Sequence, residues 1–308
     1  MLISLVIGTW NRAEQLTECL RAVGAATKPD CAVEVIVVDN GSTDATKSVI
    51  HDFILNSPFE TRYLHCGDPR ISVARNAGIA ASSGIWVGFT DDDCYISPDY
   101  FTSFHAFIKT LANLSKSNAP ISYGGGQIHP FDKDDDPRMA HRYFEDFWEI
   151  PKHSLLSPAA LQGANMFFRR KVLDAIGGFN AMMGPGAPFG CEDIDLACRA
   201  SIAGFVGAQV PSIKVHHHHR RAKDSAAADA ILENYDDGRG AYYASLLDKG
   251  LLGAWQIWSA ACALENNPDP ALRLRLAREM EGAAKYLRHA AAERSRIGRS
   301  PARSSGST

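Results

Sequence analysis

Three consecutive aspartates, Asp91, Asp92 and Asp93, close an apolar run from Ile85 to Thr90. Like charges held this close repel and raise one another's pKa, a cost that a bound divalent cation removes. Carboxylate oxygens suit a hard ion such as Mg²⁺ or Mn²⁺ better than zinc, and alternation along an extended segment would put Asp91 and Asp93 on one side. A solvated acidic turn is the plain alternative. Position decides for the ligand reading, because open α/β sheets bind ligands at the carboxyl ends of their strands. Asp39 closes a second apolar run, Val33 to Val38, where it either caps the turn that Gly41 completes or accepts a hydrogen bond from a ligand. Thr9 and Trp10 close the first run, so all three ends would line one crevice. There a nucleobase could stack on Trp10 and give its imide hydrogen to Asp39, with a diphosphate near the three aspartates. Arg70 and Arg75 are candidates to hold the same ligand, although for each taken singly a surface ion pair is the commoner role.

Glu192 and Asp193 open a helical pattern, where the backbone dipole favours negative charge without any function. Their glycine-rich approach, Gly184 to Gly190, makes a general base at the edge of a cleft the alternative. His216 to His219 follow an apolar run deep inside the chain; they are either a surface run or a source of one ring that could complete an aspartate metal site. The seven cysteines, at 19, 31, 66, 94, 191, 198 and 262, contain no Cys-x-x-Cys pair, which points to a reducing cytosol and away from a disulfide framework or a zinc site.

The elements that must position these residues follow from periodicity. Leu2 to Ile7 is a continuous apolar run, read as a buried first strand and not as a leader. Leu16, Leu20 and Val23 then keep helical spacing, and Val33 to Val38 is again strand-like. Such alternation predicts a mostly parallel sheet covered on both faces. Ser42 or Thr43 is the expected N-cap of the next helix. Another helix starts near Ser72, the strand Ile85 to Thr90 follows, and after Ser97-Pro98 a helix carries Phe101, Phe104, Ile108 and Leu111 on one stripe. Tyr123-Gly124-Gly125-Gly126, Asp132 to Asp136 and Gly184 to Pro188 read as loops over a site. Short strands lie near Val206 and at Ile213 to Val215. From Ala226 the pattern is helical, and Leu272, Leu276, Met280, Ala283 and Leu287 form one expected apolar face. Residues 295–308 read as a disordered tail.

Net charge is -3, but residues 271–308 hold nine Lys or Arg against three Glu, leaving about -9 on residues 1–270. An acidic body argues against nucleic acid as partner, while a basic end fits either an anionic membrane surface or a solvated helical cap or dimer contact. Leu251 to Leu264 falls short of the roughly 18 apolar residues of a membrane span.

Taken in order, Val6-Ile7-Gly8-Thr9-Trp10-Asn11-Arg12, Val37-Val38-Asp39-Asn40-Gly41-Ser42-Thr43-Asp44, Ala74-Arg75-Asn76-Ala77-Gly78-Ile79, Asp91-Asp92-Asp93 and Gly190-Cys191-Glu192-Asp193-Ile194-Asp195-Leu196 resemble the motifs of family 2 glycosyltransferases of the GT-A fold. Gly163 to Arg170 and Ile176 to Phe179 resemble that family's acceptor-side segment. Gly8 stands where the family usually has proline, and Trp10 where it usually has tyrosine. No Gln-x-x-Arg-Trp follows Asp193, which sets the chain apart from processive synthases. The resemblance implies a GT-A α/β domain over residues 1–221, with a nucleotide-binding half (1–115) and an acceptor half (116–221), followed by a helical extension (222–294).

It also implies an inverting, non-processive transfer from a nucleotide sugar, UDP-linked by preference. In that scheme Asp39 reads the base, Asp91 to Asp93 form the Asp-x-Asp motif with Asp93 on Mn²⁺ or Mg²⁺, and Asp193 beside Glu192 is the base. His217 or His219 matches a histidine-bearing segment of the family. The expected partners are the donor, a carbohydrate or lipid-linked acceptor, an anionic membrane surface and a second copy in a homodimer. The expected place is the cytoplasm or the inner face of the plasma membrane. The rival readings are a sugar-1-phosphate nucleotidyltransferase and a nucleotide-sugar-binding domain without turnover.

Overall fold

A computed structural model describes residues 2–114, 119–139, 141–158, 160–261 and 270–297. The apolar runs form strands and the segments between them form helices: β1 (Leu2–Thr9), α1 (Ala13–Gly24), β2 (Ala32–Asp39), α2 (Thr46–Asn56), β3 (Glu60–His65), α3 (Ile71–Ala81) and β4 (Trp86–Asp91). These four strands are parallel neighbours in the order β3-β2-β1-β4. Their register places Thr9 opposite Asp39 and Gly8 opposite Asp91, so the residues closing each strand arrive at one edge of the sheet. Burial explains the unbroken apolar runs: Ile3 to Thr9 and Val33 to Asp39 are buried on both faces. β3 has no such signature, because as an edge strand it exposes a polar mixture, Glu-Thr-Arg-Tyr-Leu-His.

Beyond β4 the chain turns at Asp92-Asp93 and continues through β5 (Cys94–Ile96), α4 (Tyr100–Leu114), β6 (Ile121–Pro130), β7 (Trp148–Ile150), β8 (Met166–Arg169), α5 (Arg170–Ile176), α6 (Glu192–Ile202) and β9 (Val206–His217). The sheet runs β3-β2-β1-β4-β8-β6-β9-β5 with β7 beside β9. β8 is antiparallel to both of its neighbours, while β6 and β9 are parallel. The aromatic stripe of α4 packs on this sheet, with Trp86 meeting Phe104, Phe107 and Phe167 edge-on.

Three local expectations are corrected. Gly124 to Gly126 lie inside β6 and not in a loop. Side chains are excluded there, since a Cβ on Gly124 would come within 2.3 Å of Ala208 O and one on Gly126 within 2.1 Å of Ile213 O. Ser42 and Thr43 do not cap α2. Their hydroxyls face Asn11; the N-cap position is Ala45, which offers no side-chain acceptor, and Asp44 before it accepts from the amides of Thr46 at 3.0 Å and of Ala13, the first residue of α1, at 3.2 Å. The two expected strands after Val206 are one strand, β9, with a register shift against β6.

The remaining helices are α7 (Ala226–Asp248), α8 (Gly253–Ala261) and α9 (Pro270–Ile297). The chain divides into two compact units, residues 1–232 and 233–308, with the division inside α7. Within the second unit, α7 and α9 approach closely at Gly240 and Gly282, where a Cβ on Gly240 would lie 1.7 Å from Glu279 O. Glu279 is fully buried and accepts from Arg239 Nε at 2.9 Å, Arg275 Nε at 2.8 Å and Trp258 Nε1 at 2.8 Å. The predicted apolar face of α9 is therefore rotated: Leu276 and Ala283 are buried, while Met280 and Leu287 are exposed and Glu279 takes the inward position. Helix α9 runs through Ser295 to Ile297. Cys262, Leu264 and the rest of the expected tail lie outside the described residues. Among those residues no helix is long and apolar enough to cross a membrane.

Candidate active site

At the shared strand edge, Thr9 Oγ1 donates to Asp92 Oδ2 at 2.7 Å. Arg12, the residue before α1, spans the next two carboxylates, reaching Asp92 Oδ1 at 2.8 Å and Asp93 Oδ2 at 2.6 Å. Asp91 points elsewhere, to Arg75 Nη2 at 2.6 Å. The expected pairing of Asp91 with Asp93 is thus replaced by Asp92 with Asp93, because β4 ends at Asp91 and the alternation of an extended strand does not continue through the turn. Asp92 and Asp93 are driven apart in acidity. Burial, together with the charge of Asp93, pushes Asp92 up to about 7 against the opposing pull of Arg12. Burial acts on Asp93 in the same sense, but His217 and Arg12 outweigh it and hold that carboxyl well below the usual carboxylate range.

Arg75 ties this edge to the opposite wall. Its guanidinium is almost fully buried and binds Asp91 at 2.6 Å with one nitrogen and Glu192 Oε1 at 2.8 Å with the other. Cys191 takes the left-handed backbone conformation, φ 70°, just before α6, and this turns Glu192 and Asp193 inward from the helix start. Asp193 Oδ2 accepts from the Gly163 amide at 2.8 Å and its Oδ1 from the Ile194 amide at 2.7 Å. Gly163 has no room for a side chain, since a Cβ would sit 2.9 Å from Arg75 Nη2. Burial raises the pKa of Asp193 even against these two amides and Arg75. Burial, reinforced by the charge of Asp193, pushes Glu192 up to about 7.

The four histidines separate by the two-residue period of a strand. His217 faces the aspartates, with Nε2 at 3.4 Å from Asp93 Oδ1. His219 turns toward Asp136 O at 3.2 Å. His216 stacks near His129, and His218 near Phe131 with Nδ1 at 3.1 Å from Tyr95 Oη. Asp93, Cys94 and His217 are all buried and offer ligand atoms within 4.8 Å of one another. This donor set fits a divalent cation, with Asp93 Oδ1 and His217 Nε2 as the pair that would hold a hard ion.

Of the remaining predicted residues, Trp10 is half exposed just past the end of β1. Asp39 is buried and already accepts from the Ser42 amide at 2.8 Å and from Tyr63 Oη at 3.1 Å, so it closes the turn as well as facing the strand edge. Arg70 is not brought to the aspartates; it pairs with Asp68 and donates to Ala181 O. Sequence reasoning missed Arg12, Gly163 and Cys94. Arg12 had a usable signal, lying three residues past the end of the first strand. Gly163 lay in a family-like segment and Cys94 directly after the aspartates, but the partners that give them a role, Asp193 and His217, come from distant parts of the chain.

A family model described as glycosyl transferase family 2 matches residues 4–177, more than half of the chain. Glycosyltransferase AglE of Haloferax volcanii is 29% identical over 208 residues, covering 66% of this chain and 62% of that protein, so the chain spans under two thirds of this relative. The succinoglycan biosynthesis protein ExoM of Rhizobium meliloti is 35% identical over 101 residues, about a third of each chain. Among solved structures, the mannosyltransferase PcManGT from Pyrobaculum calidifontis, in complex with GDP-Man and Mn²⁺, has a similar fold. It gives a TM-score of 0.58 at 18% identity over 94% of this chain and 75% of that one. TarS from S. aureus with UDP-GlcNAc also gives 0.58, at 17% identity over 79% of this chain and 66% of that one.

Proposed function

The chain belongs to glycosyl transferase family 2, and on that premise we propose that it transfers a sugar, with inversion, from a UDP-linked donor to a hydroxyl of a carbohydrate or lipid-linked acceptor. The carrying observation is Arg75, which joins Asp91 at a strand end to Glu192 beside Asp193, and this supports reading the two as parts of one site. Uracil would stack on Trp10 and give its imide hydrogen to Asp39, which keeps spare acceptor capacity beside its two present donors. Asp193, with both oxygens fixed by backbone amides, would take the proton from the attacking hydroxyl while Glu192 keeps Arg75 in place. A general base held this way contributes about 10² to 10⁴ in rate. A divalent cation, Mn²⁺ or Mg²⁺, held by Asp93 and His217, would supply positive charge against the departing diphosphate. Attack by the acceptor on the face opposite the leaving group gives the inversion.

The nucleotide-sugar and Mn²⁺ complexes of the two structural neighbours support this reading, as does the name of ExoM for a polysaccharide product. The body of the enzyme would work in the cytoplasm or at the inner face of the plasma membrane, where lipid-linked acceptors are held. Calorimetry of UDP tests the donor site. Binding should be far tighter with Mn²⁺ or Mg²⁺ than with chelator, and Asp93→Ala should abolish that difference; unchanged metal dependence in the variant would refute the assignment.

A further inference from the structure

Cys94 has no part in the transfer described above, yet it sits beside the two residues assigned to the metal. β5 and β9 are antiparallel, and their register sets Cys94 directly opposite His217, so the two side chains leave neighbouring strands on the same face. Asp93 reaches that face from the turn before β5. Its Oδ2 is engaged by Arg12, which leaves Oδ1 directed at both neighbours: 3.4 Å to His217 Nε2 and 3.8 Å to Cys94 Sγ. All three residues are buried.

These separations can be compared with a defined coordination figure. Tetrahedral zinc has bonds of about 2.3 Å to sulfur, about 2.0–2.1 Å to imidazole nitrogen and about 2.0–2.2 Å to carboxylate oxygen. The corresponding ligand-to-ligand edges are about 3.4 Å for N···O and about 3.6 Å for S···O. The first matches, and the second requires a movement of only a few tenths of an ångström. Three donors of nitrogen, oxygen and sulfur type, with a fourth position left to solvent or substrate, are also a usual composition for a zinc site that does chemistry.

We propose that Asp93, Cys94 and His217 form a three-ligand site for a thiophilic divalent cation such as Zn²⁺, with Cys94 Sγ as the ligand that sets its metal preference. The inference rests on the reading of Asp93 and His217 as the metal-holding pair. A hard ion would use the oxygen and nitrogen donors and leave the thiol protonated. A borderline-soft ion gains a sulfur bond, the thiol proton passing to solvent as the metal–sulfur bond forms. Softness of the ligand set then favours Zn²⁺ or Co²⁺ over Mg²⁺. Spacing along the sequence does not reveal such a site, because the thiol and the imidazole lie 123 residues apart and meet only across two strands.

Cobalt supplies the test, since a cobalt–thiolate bond gives a near-ultraviolet charge-transfer band and tetrahedral cobalt gives strong visible bands. Chelator-treated full-length protein titrated with Co²⁺ should develop both. Cys94→Ser should bind Co²⁺ without the charge-transfer band and lose at least about tenfold in Zn²⁺ affinity, with Mn²⁺ affinity nearly unchanged. Cys19→Ser, which removes the other buried thiol near the aspartates, should keep the band. Cobalt binding to the wild-type protein without a charge-transfer band overturns the role of Cys94, as does a band that survives in Cys94→Ser. The wild-type spectrum needs no variant and stands even if Cys94→Ser folds poorly. Cobalt affinity unchanged in Asp93→Asn, or no cobalt binding at all, instead overturns the underlying metal assignment.

Discussion

Two carboxylates at the start of α6 carry separate tasks because their partners differ. Asp193 is fixed by neutral amides and Glu192 by the charged Arg75. We expect Asp193→Asn to leave UDP binding nearly intact and to lower transfer by about 10² or more, with Glu192→Gln costing less. Steady-state kinetics with the reverse ranking would move the base to Glu192. Because burial raises the Asp193 pKa, the basic form is gained only as pH rises above the ordinary aspartate range, so kcat/KM should climb with pH. Arg75 opposes that shift, and Arg75→Gln should move the rising limb to higher pH while Arg75→Lys restores part of it. Stability runs the other way. Glu192 goes from about 4.5 unfolded to about 7 folded, so the folded state holds the extra proton between those values. Its contribution is complete below about 4.5 and is lost as pH rises through about 7. Glu192→Gln should flatten that decline in chemical denaturation measured across the same window.

Strand ends and helix starts hold these side chains, and they tolerate little change where backbones meet. Gly126 lies against Ile213 O with no space for a methyl group, and its neighbour is backbone that cannot swing aside. Gly126→Ala should destabilise the protein by about 1–3 kcal/mol or more, read as a lowered denaturation midpoint. Gly8 answers the departure from the family's proline: a Cβ there would lie 2.5 Å from Ile71 Cδ1, so Ile71 fills the space that a larger residue would need. In the C-terminal unit, removing the Glu279 carboxylate leaves the buried Trp258 Nε1–H without its acceptor, while Arg239 keeps Asp236 and the part-exposed Arg275 can turn to water. Glu279→Ala should therefore cost about 1–3 kcal/mol in that unit's unfolding, as for one buried donor left unsatisfied. A denaturation curve unchanged from wild type would contradict this account of how α7, α8 and α9 hold together.

Over the whole molecule, the basic end reads differently once its partners are known. Of the nine basic residues after position 270, Arg275 pairs with Glu279, Arg278 with Glu233 and Asp236, Lys285 with Asp237, and Arg294 with Asp248. Much of the excess charge is thus answered by acids, chiefly of α7, and serves the pairing of the two helices. Each basic residue near an anionic bilayer contributes about 1 kcal/mol, so the four held in these pairs lower the pull of such a surface by a few kcal/mol. We expect co-sedimentation with anionic vesicles to be weak at low salt and lost near 0.15 M, where the screening length is about 8 Å. Retention at that salt would restore the membrane role of the tail.

The strand ends at Thr9, Asp39 and Asp91, the helix carrying Glu192 and Asp193, and the family were legible along the chain, because these depend on short-range periodicity and local motifs. β3 and the glycine strand β6 were not: an edge strand need not be apolar, and glycine is chosen there by a neighbouring backbone that periodicity does not record. Only the tertiary structure decided which aspartates pair, that Arg12 and Arg75 neutralise them, that Gly163 orients Asp193 and that Cys94 faces His217. Each of these depends on charges or donors from distant segments meeting in a dry place, and the energy of such meetings is fixed by distance and burial, which spacing along a chain does not contain.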